Sequence, residues 1–350
     1  MFSFFTHVNN IRLWVMKTAL KIGSLTALTL LFVSIATFFV LKIRRIDIKH
    51  GLKEDSRPFV FLTQTEECLR PQLMQNMGLD NSQKCRCDVI VLSYHKACQS
   101  EWNPPHITYL FDKNSTWRTG RNLLYTHATM EGKPRYTYYI VTDDDVFLKF
   151  NQAASEEMKQ LTPLQVFQNW LLEYEPAVGV VDYAGANEAQ KVRERTRKNC
   201  GIYINNNSTT NPTVYFDPLF NAFHANAAHH IFPLLNQREN VSWWYTLRHV
   251  ISNVELKFRG QALIFFPISV ENSLHRNYPR TLENAQEAWR DYIENVRMQA
   301  PVKYANHRLF KEYKKDPIHY VETSRTYCMK VTRHRPIIPF AHFELANDTA

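Results

Sequence analysis

The chain has 350 residues, 45% hydrophobic, 13% aromatic and 21% charged. That balance excludes wholesale disorder and allows one large domain or two small ones with a sizeable core. A formal net charge of +9 suits phosphates, sulfated glycans or anionic membrane, while no zinc-finger spacing and no long basic run interleaved with aromatics points to nucleic acid.

The first element in chain order is Ile22 to Ile43, IGSLTALTLLFVSIATFFVLKI, whose single charge is Lys42 at its end. An apolar stretch of about 22 residues spans a hydrocarbon core of about 30 Å as a helix. It starts too late and runs too long for a signal peptide, and Phe38-Phe39-Val40-Leu41 offers no small-x-small cleavage site. The spacing predicts a cytoplasmic tail over 1–21, a transmembrane signal-anchor over 22–43, a stem over 44–86 and a lumenal domain over 87–345. Arg12, Lys17 and Lys21 precede the anchor, whereas Lys42, Arg44, Arg45, Lys49 and Lys53 follow it. Flanking charge alone would keep the C-terminus cytoplasmic, but long domains translocate largely regardless of it. Cys68, Cys85, Cys87, Cys98, Cys200 and Cys328 form an even set without metal-ligand spacing, as expected of disulfides in an oxidising lumen. N-glycosylation sequons begin at Asn114, Asn206, Asn207, Asn240 and Asn347. The two features favour a single-pass type II protein of the Golgi or ER membrane.

Beyond the anchor, residues 44–86 are mixed in charge and broken by Pro58 and Pro71, apart from the short run Phe59-Val-Phe-Leu62. Asp88 to Ser93 and Ile107 to Phe111 read as strands buried on both faces. A loop from Lys113 to Gly120 leads to a predicted helix over Arg121 to Met130, and a third strand, Tyr136 to Val141, runs into Thr142-Asp143-Asp144-Asp145. This cadence predicts an open α/β sheet flanked by helices, with the aspartates at a strand's carboxyl end, where such sheets bind ligands. Thr162-Pro163 opens a helix to Tyr174 as N-cap and N1, and Val178 to Val181 is a further strand. Residues 185–212, polar and asparagine-rich with Lys191, Arg193, Arg195, Arg197 and Lys198, suit a mobile loop over the site. Ordered structure returns from Val214 to Pro267, followed by a charged helix around Leu282 to Met298 and a basic tail.

Three consecutive carboxylates repel and raise one another's pKa unless a cation relieves them. Hard divalent ions take oxygen ligands. In an extended chain Asp143 and Asp145 share one side, leaving Asp144 free for a sugar, an amide or an arginine. A solvated acidic turn is the plain alternative, but apolar strand leads in and Val146-Phe147-Leu148 leads out.

Asp112-Lys-Asn-Ser-Thr-Trp-Arg-Thr-Gly120-Arg121-Asn122, followed by a helix and Tyr138-Tyr-Ile-Val-Thr-Asp-Asp-Asp145, resembles the nucleotide-binding half of GT-A glycosyltransferases. The match covers about residues 87–150. It implies a GT-A-like catalytic domain with a nucleotide-binding half (87–150) and an acceptor half (151–345). By that resemblance Asp143 and Asp145 bind Mn²⁺, or Mg²⁺, against the diphosphate of a nucleotide-sugar. Ser93, Tyr94 and Asp112 then lie near base and ribose, and Arg121 lies near the phosphates or buttresses the aspartates. A late histidine often supplies a third metal ligand in that family, and His275 is placed to do so, ahead of His224. An inverting enzyme also needs a carboxylate base, for which Glu239, Asp217 and Glu255 stand unranked. Trp243-Trp244 suits an acceptor-sugar platform or plain core packing. The C-terminal half lacks a Gln-x-x-Arg-Trp signature, which leaves donor and acceptor sugars open.

The expected function is therefore metal-dependent transfer of a sugar to a glycan, protein or lipid acceptor. The alternatives are a non-catalytic glycan- or Ca²⁺-binding membrane protein and a lumenal sulfotransferase. The latter would show a phosphate-cradling loop that Thr116 to Arg121 matches only loosely, and would have no use for the aspartates.

Overall fold

A computed structural model describes residues 57–99, 104–132, 135–183, 209–213, 216–234, 243–272, 285–315 and 331–341. The chain divides after Ser56, and the unit from Arg57 onward holds every described residue. The expected anchor at 22–43 thus lies outside the described residues, among which no helix is long and apolar enough to cross a membrane.

The strands are β1 (Phe59–Thr65), β2 (Cys87–Ser93), β3 (Ile107–Phe111), β4 (Tyr138–Thr142), β5 (Val146–Phe150), β6 (Val178–Tyr183), β7 (Thr210–Pro212), β8 (Phe220–His224) and β9 (Ala262–Asn272). They form one mixed sheet in the order β3-β2-β1-β4-β8-β6-β9-β5, with β7 paired on β9. β1 to β4 are mutually parallel, β8 runs antiparallel between β4 and β6, and β5 is antiparallel to β9. The helices are α1 (Pro71–Met77), α2 (Ser82–Cys85), α3 (Trp117–Thr129), α4 (Pro163–Tyr174), α5 (Ala225–Ile231), α6 (Trp243–Phe258), α7 (Ala285–Met298) and α8 (Arg308–Lys315).

The sheet is buried on both faces. Val60 and Leu62 join the apolar cluster that includes Leu124 of α3, Ile251 of α6 and Trp289 of α7. Phe59 and Phe61 join the opposite cluster with Met74 of α1 and Phe167 of α4. Alternation along one strand thus feeds two cores, so a continuous apolar run is what such a strand requires.

β1 corrects the expected stem. Residues 44–86 hold, from Phe59 on, a strand hydrogen-bonded on both sides, to β2 and to β4. Phe59, Val60, Phe61 and Leu62 are each 0% exposed. Four apolar residues carry too short a pattern to distinguish strand from linker; pairing on both edges decides it. The domain starts near Arg57, and α1, α2 and the bonds Cys68–Cys98 and Cys85–Cys87 belong to it. Cys200 and Cys328 lie outside the described residues, as do 185–208 of the expected mobile loop; its end, Thr210–Pro212, is β7.

Two helix starts follow from local chemistry. Thr162 caps α4 in a capping box with Gln165, and Pro163 sits at the first turn, as the sequence predicts. α3 begins at Trp117, earlier than expected, because Thr116 and Thr119 form a reciprocal capping box.

Candidate active site

β1 is the point where the strand order reverses: the chain passes from β1 outward to β2 and β3, then returns to place β4 on the other side. In open α/β sheets the crevice at such a point, outside the carboxyl ends, is the usual ligand site. Here it is a cleft of about 240 Å³. Leu62 and Gln64 of β1, Thr116, Trp117 and Arg121 of the α3 start, and Asp143 to Asp145 after β4 line it, with Tyr94 beyond β2 at its rim.

The aspartates are fixed individually. The Asp143 amide donates to the Leu219 carbonyl at 2.9 Å, which extends the β4–β8 pairing beyond the strand. One carboxylate oxygen of Asp143 accepts Nη2 of Arg121 at 2.6 Å. That guanidinium also donates to the Pro218 carbonyl at 3.0 Å and lies 3.6 Å from the ring centre of Trp117. The pair is well shielded, with side-chain exposures of 6% for Arg121 and 22% for Asp143. Asp144 accepts the Thr65 hydroxyl at 3.0 Å, so β1 reaches across to hold the β4 turn. Asp144 and Asp145, 8% and 7% exposed, sit in a turn, which ends the extended-chain alternation at Asp143.

Burial is the main cause that raises Asp143, to about 7; Arg121 opposes it, and Asp217, Asp145 and Asp144 add to it. Asp217 is raised to about 6, again chiefly by burial, against the Leu219 amide, Arg121 and Arg248. Two carboxyls raised this far in one place mark a desolvated acidic site.

The predicted residues separate. Asp143, Asp144, Asp145, Arg121 and Tyr94 come together in the cleft. Arg121 buttresses an aspartate. Asp217 stands in the field of Asp143 and of Arg121, two residues before the Leu219 that pairs with Asp143. Ser93 is 0% exposed and its hydroxyl is spent on the Glu67 carbonyl, which removes it from ligand contact. Asp112 closes its own turn, its carboxylate accepting the Asn114 amide at 2.9 Å. His224 corrects a weaker expectation: it faces Tyr138, at the opposite end of β4 from the aspartates, and caps α5 through Nδ1. Glu255 is 4% exposed and bonded to Arg259 one turn on in α6. Glu239 and His275 lie outside the described residues, as do the side chains of Trp243 and Trp244. The last described residue before His275 is Asn272, paired with Val146, the neighbour of Asp145.

Sequence reasoning missed Gln64, Thr65 and Trp117. The first two fall in the expected stem, and Trp117 in the expected loop, where the Thr116–Thr119 capping box starts the helix. The signal was Gly120: a Cβ there would stand 2.1 Å from Gln64 Nε2, so glycine lets α3 close onto β1.

Among the described residues, no group of three or more His, Cys, Asp and Glu is arranged to hold a metal ion. Two carboxylates suffice for an ion that takes its remaining oxygens from water and phosphate, and the carboxylate-rich cleft fits that donor set.

No family model matches the chain, and no curated protein matches it. Solved structures similar to it include TarS of S. aureus, at 11% identity over 77% of this chain, with a TM-score of 0.40. A second is the mannosyltransferase PcManGT from Pyrobaculum calidifontis in complex with GDP-Man and Mn²⁺, at 10% identity over 73% of this chain and 69% of that one, with a TM-score of 0.39. The match spans 44% of the length of TarS. At these levels the likeness assigns no activity to the chain.

Proposed function

We propose that this chain is a metal-dependent glycosyltransferase of the secretory pathway, moving a sugar from a nucleotide-sugar to a hydroxyl of a glycan, protein or lipid. One observation carries the reading: a buried aspartate cluster, held by Arg121 and Thr65, stands at the switch-point crevice beside an aromatic-walled cleft. On this reading Asp143 and Asp145 hold Mn²⁺ or Mg²⁺, with His275 as a further candidate ligand. When bound, the ion supplies Lewis-acid stabilisation to the departing diphosphate. Arg121 keeps Asp143 oriented, Thr65 keeps Asp144 oriented, and Tyr94 and Trp117 form the walls for the nucleoside.

In the transfer, the acceptor oxygen forms a bond to the anomeric carbon as the bond from that carbon to the diphosphate oxygen breaks. The electron pair leaves with the nucleoside diphosphate. The acceptor proton passes to a carboxylate in an inverting enzyme, with Asp217 or Glu239 as candidates. Exposed Asn114 and the bonds Cys68–Cys98 and Cys85–Cys87 support a lumenal, type II placement behind an anchor at 22–43.

The test is binding by the full-length chain to UDP- and GDP-sugars with and without Mn²⁺, followed by thermal shift and by nucleoside diphosphate release. At least one donor is expected to bind only with the metal, and Asp145→Asn to lose that binding while melting as the parent does. Unchanged binding in Asp145→Asn would make the aspartates structural.

A further inference from the structure

The far side of the aspartate cluster carries a tyrosine that the cleft does not include. Val141 of β4 and Val180 of β6 both stand opposite Asn221 of β8. β4 and β6 run the same way, so counting on from that shared level brings Asp182 to the height of Asp143, with Tyr183 one residue beyond. Adjacent strands lie about 4.8 Å apart, which separates the two sides of this rim by about 10 Å, the width of a sugar ring and its contacts.

β6 reaches that height beside an irregularity in its partner β9. Val181 pairs with Phe265, but Asp182 pairs with Ser269, so one step on β6 answers four on β9. The extra residues, Phe266 to Ile268, belong to β9, and irregularities of this kind recur beside active sites. Tyr183 is left half-buried, packed against the apolar cluster that contains Val181 and Val270. Burial first, then Asp217, Asp145 and Asp143, hold its phenol above the ordinary tyrosine pKa.

Asp217 stands just ahead of β8, between the two sides. Its carboxylate accepts the Leu219 amide at 3.1 Å, and Asn221 Nδ2 donates to its carbonyl at 2.9 Å. The Leu219 carbonyl in turn accepts the Asp143 amide, which ties Asp217 rigidly to the metal-side aspartates. A phenylalanine would satisfy the packing at position 183 equally well. A hydroxyl in the field of Asp217, Asp145 and Asp143 is the part that packing leaves unexplained.

We infer that Tyr183 is a positioning residue on the acceptor side: its hydroxyl and the Asp217 carboxylate form the wall, opposite the nucleotide cleft, that orients a hydroxyl-bearing acceptor. In the absence of an acceptor the same wall orients water. This rests on the transferase reading given above.

The test compares the full-length parent with Tyr183→Phe, following UDP or GDP release from UDP- and GDP-sugars in Mn²⁺ with water as the acceptor. In Tyr183→Phe, kcat is expected to fall about tenfold or more, while donor KM and melting temperature stay at parental values. Parental kcat in Tyr183→Phe overturns the inference and leaves the transferase reading standing. So does a loss of kcat that comes with an equal loss of donor affinity and of melting temperature, since that is what a structural role produces. A parent that releases no diphosphate from any donor sinks the transferase reading itself, and this inference with it.

Discussion

Replacing Gly120 with alanine tests how α3 is seated, and with it the cleft. In an open helix the substitution stabilises by about 1 kcal/mol, because alanine is the better helix former. Here the new Cβ would lie 2.1 Å from Gln64 Nε2, 2.5 Å from Gln64 Cδ and 2.9 Å from Leu92 Cδ2, where ordinary contact begins near 3.4 Å. Gln64 must retreat by more than an ångström and give up its 3.1 Å bond to the Thr116 carbonyl. The lost bond costs about 1 kcal/mol. Overpacking α3 against β1 and β2 adds about 1–3 kcal/mol. Set against the propensity gain, the net expectation is a loss of about 1–3 kcal/mol. Arg121 follows Gly120 directly, so nucleotide binding should weaken as well. Chemical denaturation of parent, Gly120→Ala and the double variant Gly120→Ala/Gln64→Ala measures both effects. The double variant should recover part of the loss, because it removes the nearest obstacle. A single variant as stable as the parent or more so would refute the close packing.

Arg121→Met keeps the bulk but removes the cation from a shielded pair, and should cost about 3 kcal/mol of stability in denaturant melts; less than about 1 kcal/mol would mean that Asp143 finds another partner. Asp143 and Asp217 hold protons more tightly in the fold, at about 7 and about 6, than the usual 3.8 of an unfolded carboxyl. Their contribution to metal-free stability is therefore greatest below about pH 4 and is lost as pH rises through 6 to 7. Mn²⁺ competes with those protons, so its thermal shift should be larger at about pH 7.5 than at about pH 5.5, and equal shifts would dissociate the metal from these carboxyls. Expression in a secretory host should yield glycans removable by glycosidase, with a mobility change on gels; protease access from the cytosol and no change would reverse the topology.

The local elements were legible because their signals are local. Ile107–Phe111, Thr162-Pro163 and the strand that ends at the aspartates announce themselves by apolar runs, a cap and a proline, none of which depends on a distant partner. The aspartates were legible as a site because like charges at a strand end demand a reason. What only the tertiary structure decided is pairing. β1 has the short apolar pattern of a linker, and only its pairing to β2 and β4 on its two edges makes it a strand. Ser93 and Asp112 carry the right residue types at the right strand ends, yet a carbonyl engages the hydroxyl of one and a turn amide engages a carboxylate oxygen of the other. Thr65 lies 79 residues before the Asp144 it bonds and Tyr183 lies after the aspartates, and neither shares a motif with them. β1 and β6 bring them to the same rim only through hydrogen-bond register across the sheet, and register is set by the matching of buried faces between strands, which no single stretch of sequence contains.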